Sequence, residues 1–223
     1  MPAPSATLAP VGYRLPDGFE FAPVAHRYSL AGAPLAGVTS VIQDAGLVDY
    51  SHIPAWYRDR GSVVHKAAEL DDLGVLDEDT VAPEIAGFLA AWRRFRTEME
   101  MVWEGIEVPV VNLRHGYAGT LDRIGVFGAG RFKGRRALLD AKSGLPSWVV
   151  GLQLAAYDMA FGECLTEGSP KPTLRAAVQV SEDGMYRLHF CSDPDSVFDG
   201  SRFLAAMSVA QMRRDHGLAA DEK

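Results

Sequence analysis

The sequence is poor in several residue types. Two cysteines, Cys164 and Cys191, in 223 residues are too few for a four-thiolate zinc or iron–sulfur site, so no iron–sulfur cluster is expected. Asn112 is the only asparagine, and lysine is scarce beside arginine, which makes each lysine worth locating. No stretch approaches the ~20 apolar residues of a membrane span. The first ten residues carry no Lys or Arg ahead of an apolar run, so no secretory leader is expected and the cytoplasm is the default compartment. Also missing are the Gly-x4-Gly-Lys-Ser/Thr phosphate loop, the Gly-x-Ser-x-Gly nucleophile elbow, and the Cys-x2-Cys and His-Glu-x2-His zinc patterns. Gly128, Gly130 and Gly134 have the wrong spacing for a dinucleotide loop and read as a basic hairpin connection.

What is present describes one domain. Lys+Arg total 22 against 29 Asp+Glu, a net charge of −7, and 48% of residues are hydrophobic, enough to build a core without staples. The acidic balance argues against broad coating of nucleic acid, yet binding follows the local field, so one basic cleft stays compatible with it. Residues 1–23, rich in Pro and Ala, read as a flexible N-terminal arm, and residues 24–223 as a single domain.

Periodicity sets the expected elements. Residues 26–30 and 38–42 form a hairpin around Gly32-Ala33-Pro34, with a short helix starting near Thr39 or Ser40. Helices are predicted over 61–72 and 83–101, the second with Pro83 in its first turn and Ile85, Phe88, Leu89, Trp92 and Phe95 on one face. Strands follow at 107–111, 117–126 and 137–142. An all-round apolar helix at 147–162 comes next, then strands at 173–181 and 185–191, and a helix opened by Asp193-Pro194 and running to about 215. The expected fold class is α/β, a mixed central sheet flanked by helices.

Three elements each offer a polar pair. His65 and Glu69, four residues apart, share a helix face, as do Gln153 and Tyr157. Asp140 and Lys142, two apart in a strand, point the same way, and a hairpin can bring Asp122 beside them. Two adjacent carboxylates repel unless a cation lies between them, and hard oxygen ligands select Mg²⁺ or Mn²⁺. Each pair taken singly has an ordinary structural explanation: a strand-end charge, an edge ion pair, a satisfied histidine, a buried polar brace. Glu107 alone reads as an exposed strand residue.

The ordered set Gly61-x3-His65-x3-Glu69, Glu107, Gly119-x2-Asp122, Asp140-x-Lys142 and Gln153-x3-Tyr157 resembles the PD-(D/E)XK nuclease superfamily, in its RecB-like exonuclease branch. The resemblance spans about residues 38–190. It is closest in look to phage RecB-like exonucleases and the mitochondrial genome maintenance exonuclease, which show a similar Val38-Thr39-Ser40-Val41 element. Leu121 stands where the proline of the superfamily's name would fall. The CRISPR-associated RecB-like nucleases typically carry four cluster-binding cysteines, which this chain lacks.

The resemblance implies a restriction-endonuclease-like core and a Mg²⁺- or Mn²⁺-dependent deoxyribonuclease. Its metal ligands would be His65, Asp122, Asp140 and the carbonyl of Ala141; Lys142 would act on the attacking water. Glu69 would orient His65 or serve a second metal, Glu107 would support either role, and Gln153 and Tyr157 would brace the site. DNA is the implied partner, as single-stranded ends, in recombination, repair or replication, with recombination or replication proteins as further partners. A non-catalytic DNA-end-binding or protein-interaction module and a structure-specific endonuclease are the alternatives. Candidate phosphate contacts are Arg58 and Arg60, then Arg93, Arg94 and Arg96 beside Trp92, then Arg131, Lys133, Arg135 and Arg136. Trp148 or Tyr117 are candidates for base stacking.

Overall fold

The computed structural model describes residues 8–23, 25–49, 54–191 and 194–218. Phe19–Ala22 (β1) pairs antiparallel with Arg27–Leu30 (β2), which pairs with Ala33–Gly37 (β3). Ala31 and Gly32 between β2 and β3 have φ of 49° and 79°, the left-handed pair that a two-residue hairpin turn demands. The return strand is therefore 33–37 rather than 38–42. Val38–Asp44 is a helix (α1), because Val38, Val41 and Ile42 at i, i+3 and i+4 all reach the core from one helical face. That burial outweighs the strand preference of branched side chains.

Ala55–Asp72 (α2) begins before the predicted 61, and Pro83–Glu98 (α3) ends before the predicted 101. Ile85, Phe88, Leu89, Trp92 and Phe95 of α3 pack with Val64, Ala67 and Ala68 of α2 against one face of the sheet. Glu100, at φ 46°, then turns the chain into Val102–Asn112 (β4). Pro109 is tolerated in β4 because, among the described residues, β5 is the one strand paired with β4, and on the other side Leu8 bridges only Ile106.

Tyr117–Val126 (β5) and Arg136–Lys142 (β6) flank the Gly- and Arg-rich connection. Val149–Glu163 (α4) is buried almost all round on the other face, as its sequence requires. Leu174–Val180 (β7) runs parallel to β6, and Tyr186–Phe190 (β8) closes that edge. Asp193 lies outside the described residues. Pro194–Phe198 is a 3₁₀ turn, and the last helix, Asp199–Asp215 (α5), starts after it and packs Phe203 edge-on against Tyr117.

Residues 8–23, predicted to be a flexible arm, are instead tied to the domain. Leu8 bridges Ile106, Tyr13 bridges Leu165 and donates its hydroxyl to the Pro109 carbonyl, and β1 joins the sheet. The ring of Tyr13 also stacks on Phe161, so the segment buries apolar surface that composition alone does not reveal.

The architecture is the expected α/β one, a mixed sheet between helices, in the order β1-β2-β3-β5-β6-β7-β8 with β4 on β5. β4 occupies one edge of β5 along its whole length. The other edge is shared: β3 pairs with it in parallel at Tyr117 and Ala118, and β6 pairs antiparallel from Arg123 to Val126. Residues 119–122 lie between, with no strand on that side. Asp122 stands in this interruption.

Candidate active site

Where β6 departs from β5, a carboxylate takes the place of a strand. The last β5–β6 pair is Arg123 with Leu139, and beyond it the Ala141 N–H donates to Asp122 Oδ2 at 3.0 Å. A strand residue directs its N–H and C=O to the same side, so the Ala141 carbonyl shares this edge. His65 of α2 brings Nδ1 to 3.2 Å from the same Asp122 oxygen. Lys142 Nζ lies 2.7 Å from Asp140 Oδ2.

Gly119 is needed for a steric reason. A Cβ there would sit 2.5 Å from the Tyr157 ring and 3.2 Å from Val38. Tyr157 packs into that space, accepts a hydrogen bond from Gln153 Nε2 at 3.1 Å, and stays protonated because burial raises its pKa. Its hydroxyl is a permanent neutral group near Asp122 and Asp140.

Negative charge is in surplus here. Glu69, buried, is held by Lys66 Nζ at 2.7 Å from both oxygens, and Asp140, 1% exposed, by Lys142. Glu107 lies between Ile106 and Val108, whose partners are Arg123 and Leu121, so it faces Asp122 across the ladder. Like charges opposite each other are destabilising. Burial, then repulsion from Asp122 and from Glu69, lifts the Glu107 pKa to about 8 even though Arg123 Nη1 reaches it at 3.1 Å. Burial also raises Asp140, with Lys142 opposing and Asp122 adding to the rise. Glu107 has φ of 50°, a left-handed conformation costing roughly 1–3 kcal/mol for a non-glycine residue and characteristic of functional sites.

Among the described residues no group of three or more His, Cys, Asp or Glu side chains is placed to hold a metal ion as it stands. The donors nonetheless fit one. An imidazole and two carboxylates surround an interrupted strand edge, and a cation would relieve the surplus charge. The set suits Mg²⁺ or Mn²⁺.

The predicted DNA contacts fare differently. Arg93 pairs with Asp71 and Glu78, Arg96 with Asp71 and Asp72, and Arg94 with Glu98. Arg93 and Arg96 fasten α3 to α2, so their charge is spent within the protein. Trp92 is buried and donates to Asp72, and Tyr117 is buried and donates to the Ala156 carbonyl; neither offers a stacking face. Arg136 is buried on Glu104 at 2.5 Å, and Arg135 binds Thr173. Both stand at the start of β6, about 13 Å along the strand from Asp140. Arg131 and Lys133 are exposed at that same remote end.

Three rings beside the site are exposed: Trp56 and Tyr57, mutually stacked with centroids 3.7 Å apart, and Trp148. Arg60 lies over Trp56 and Tyr57 and donates to the Ser143 carbonyl, one residue beyond Lys142, while Arg58 is exposed in the first turn of α2. Lys66, the Tyr28–Thr120 hydroxyl pair at 3.0 Å and Asp72 went unnoticed in the sequence. Only Lys66 carried a local signal, its i, i+3 spacing to Glu69.

No protein-family model and no curated protein matches the sequence. Among solved structures, one described as SSO0001 is 15% identical with a TM-score of 0.37, over 79% of this chain and 74% of that one. An alkaline exonuclease from Laribacter hongkongensis is 14% identical with a TM-score of 0.35, over 82% and 93%; its complex with dAMP gives the same values. Similarity at this level leaves function to be argued from the site's own geometry.

Proposed function

We propose that the chain is a divalent-metal-dependent deoxyribonuclease that hydrolyses phosphodiester bonds, acting as an exonuclease on single-stranded ends. The observation that carries this reading is the meeting of His65, Asp122, Asp140 and Lys142, from three elements, at the interrupted edge of β5. His65, Asp122, Asp140 and the Ala141 carbonyl would hold Mg²⁺ or Mn²⁺. Bound there, the ion supplies a water of lowered pKa and neutralises charge on the scissile phosphate.

The protein's own groups do the rest. Lys142, 29% exposed on its solvent side and anchored by Asp140, orients the attacking water and exchanges its proton at Nζ. The Ala141 N–H and His65 fix Asp122, while Lys66 holds Glu69 in place below them. Gln153 and Tyr157 brace the carboxylates from α4. The products are a 5′-phosphate and a 3′-hydroxyl. Support for single strands comes from the exposed Trp56, Tyr57 and Trp148, because unpaired bases stack on such rings.

The test is cleavage of end-labelled linear single strands, blunt duplex and closed single-stranded circles, with Mg²⁺, Mn²⁺ or chelator. Linear single strands are expected to be degraded only with metal, and Lys142→Ala to lower kcat by roughly 10²–10⁴-fold while affinity changes by less than about tenfold. Cleavage in chelator overturns the metal reading, equal cutting of circles makes the enzyme an endonuclease, and equal loss of rate and affinity makes Lys142 a phosphate contact.

A further inference from the structure

One strand beyond the catalytic carboxylates the sheet carries a cavity of about 400 Å³. Strand register places it. Asp140 is aligned with Ala177 across β6 and β7, and Ala177 with His189 across β7 and β8. These three side chains share one face and are separated by about 5 Å per strand. Lys142, Gln179 and Arg187 make the next row. Asp140 thus heads a row that runs on into the cavity, with Lys142 heading the row beside it, and the small side chain of Ala177 leaves room above the floor.

The walls are built from separate elements. Trp148 stands at the entry to α4, Gly151 lies in its first turn, and Asp199 and Arg202 come from α5. A Cβ at Gly151 would lie 2.8 Å from Asp199 Oδ2, so glycine here lets that carboxylate stand close to α4. The volume falls within the usual range of small-molecule sites, roughly 300–1,000 Å³.

We propose that this cavity is a nucleotide subsite, receiving one unpaired nucleotide of the strand whose adjoining phosphate lies at Asp140 and Lys142. The assignment rests on the nuclease reading and adds to it. Trp148, 67% exposed, offers a ring face for the base. His189 lines the cavity, and its Nε2 lies 2.8 Å from Gln179 Oε1. Burial and the neighbouring Arg187 lower the His189 pKa, so the ring is neutral near pH 7 and meets a base edge without desolvating a charge. Arg202 is half exposed, and its contacts to the Asp195 carbonyl and to Asp199 Oδ1 at 3.5 Å both run through Nη1. The rest of its planar fork suits a phosphate. A base still paired in a duplex has no free face or edge to offer, so occupancy selects unpaired strands.

The experiment uses the full chain, with thymidine 5′-monophosphate and a ten-residue oligothymidylate as probes. Binding is read by tryptophan fluorescence and cleavage by steady-state kinetics, for wild type, Trp148→Ala, Trp148→Phe and Arg202→Gln. Both residues are solvent-facing, and far-UV circular dichroism verifies that the variants fold. Trp148→Ala is expected to raise KM for the oligonucleotide about tenfold with kcat within about threefold, and to weaken mononucleotide inhibition in step. Trp148→Phe restores most of the affinity, and Arg202→Gln weakens the mononucleotide. Unchanged KM and mononucleotide affinity in Trp148→Ala and Arg202→Gln, with cleavage intact, overturn the subsite alone. Wild-type protein that binds both probes through Trp148 but cuts no DNA overturns the nuclease reading and leaves the subsite standing. Neither binding nor cleavage overturns both.

Discussion

Asp122 and Arg123 are neighbours on β5, yet they enter two unlike charge clusters, joined where Arg123 Nη1 reaches Glu107. On the Arg123 side every buried charge has a partner. Asp72 accepts from Trp92 Nε1 at 3.0 Å, Arg123 Nε at 2.8 Å and Arg96 Nη1 at 2.9 Å, and Asp71 takes Arg93 and Arg96. On the Asp122 side four carboxylates crowd a gap with fewer cations, and two of them have raised pKa values. The first cluster is what a fold builds to join helices to a sheet. The second costs stability in the free protein, and a bound cation is the simple way to offset that cost.

The comparison can be broken from either side. The largest effect is expected on the surplus side: Asp122→Asn or Asp140→Asn should lower metal-dependent cleavage by about 10³-fold or more, each 1.36 kcal/mol of lost transition-state stabilisation being tenfold. Thermal unfolding should show the fold intact. Retained activity would remove these carboxylates from the metal site.

On the matched side, Asp72→Ala should lower unfolding free energy by about 3 kcal/mol, because it takes from the buried Arg123 its fully buried partner and leaves it only Glu107. Denaturant titration reads this, and a loss below about 1 kcal/mol would show that the cluster is not structural.

Glu107 gives a pH test that sharpens the contrast. Its folded-state pKa, about 8, lies above the ordinary glutamate value of 4.5, so the folded state binds more protons between those limits. Stability from this group is therefore lost as pH rises from about 4.5 through about 8. In chelator, Glu107→Gln should flatten that decline and stabilise the protein by about 1 kcal/mol above pH 8, with no difference below pH 4. An unaltered pH profile would mean that Glu107 is not under strain from its neighbours.

The smallest effect is expected at Arg93 and Arg96. Replacing either with Gln should cost about 1 kcal/mol or less, since both pairs are partly solvent-exposed. The salt dependence of DNA binding should stay unchanged. A slope reduced by about 0.7 per residue would return them to the DNA contacts.

Much of this molecule follows from local rules. A helix repeats its face every three to four residues and a strand every two, so the sequence alone places His65 with Glu69, Gln153 with Tyr157, and Asp140 with Lys142. It also gives the type of most elements, α3 and α4 above all, whose apolar spacing leaves little choice. Local rules fail where partners are distant in sequence. Val38, Val41 and Ile42 suit a strand or a helix face equally, and only the core they meet decides. The arginines of α3 look free until α2 brings Asp71 and Asp72 against them, and Trp92 and Tyr117 look available until their polar atoms find Asp72 and the Ala156 carbonyl. The interruption in β5 is beyond any periodicity, because it exists only where β3 and β6, far apart in the chain, divide one strand edge between them. Side-chain direction is set by the backbone within a few bonds. Which charges meet, which edges stay open and which cavities remain are set by packing between segments that the sequence keeps far apart.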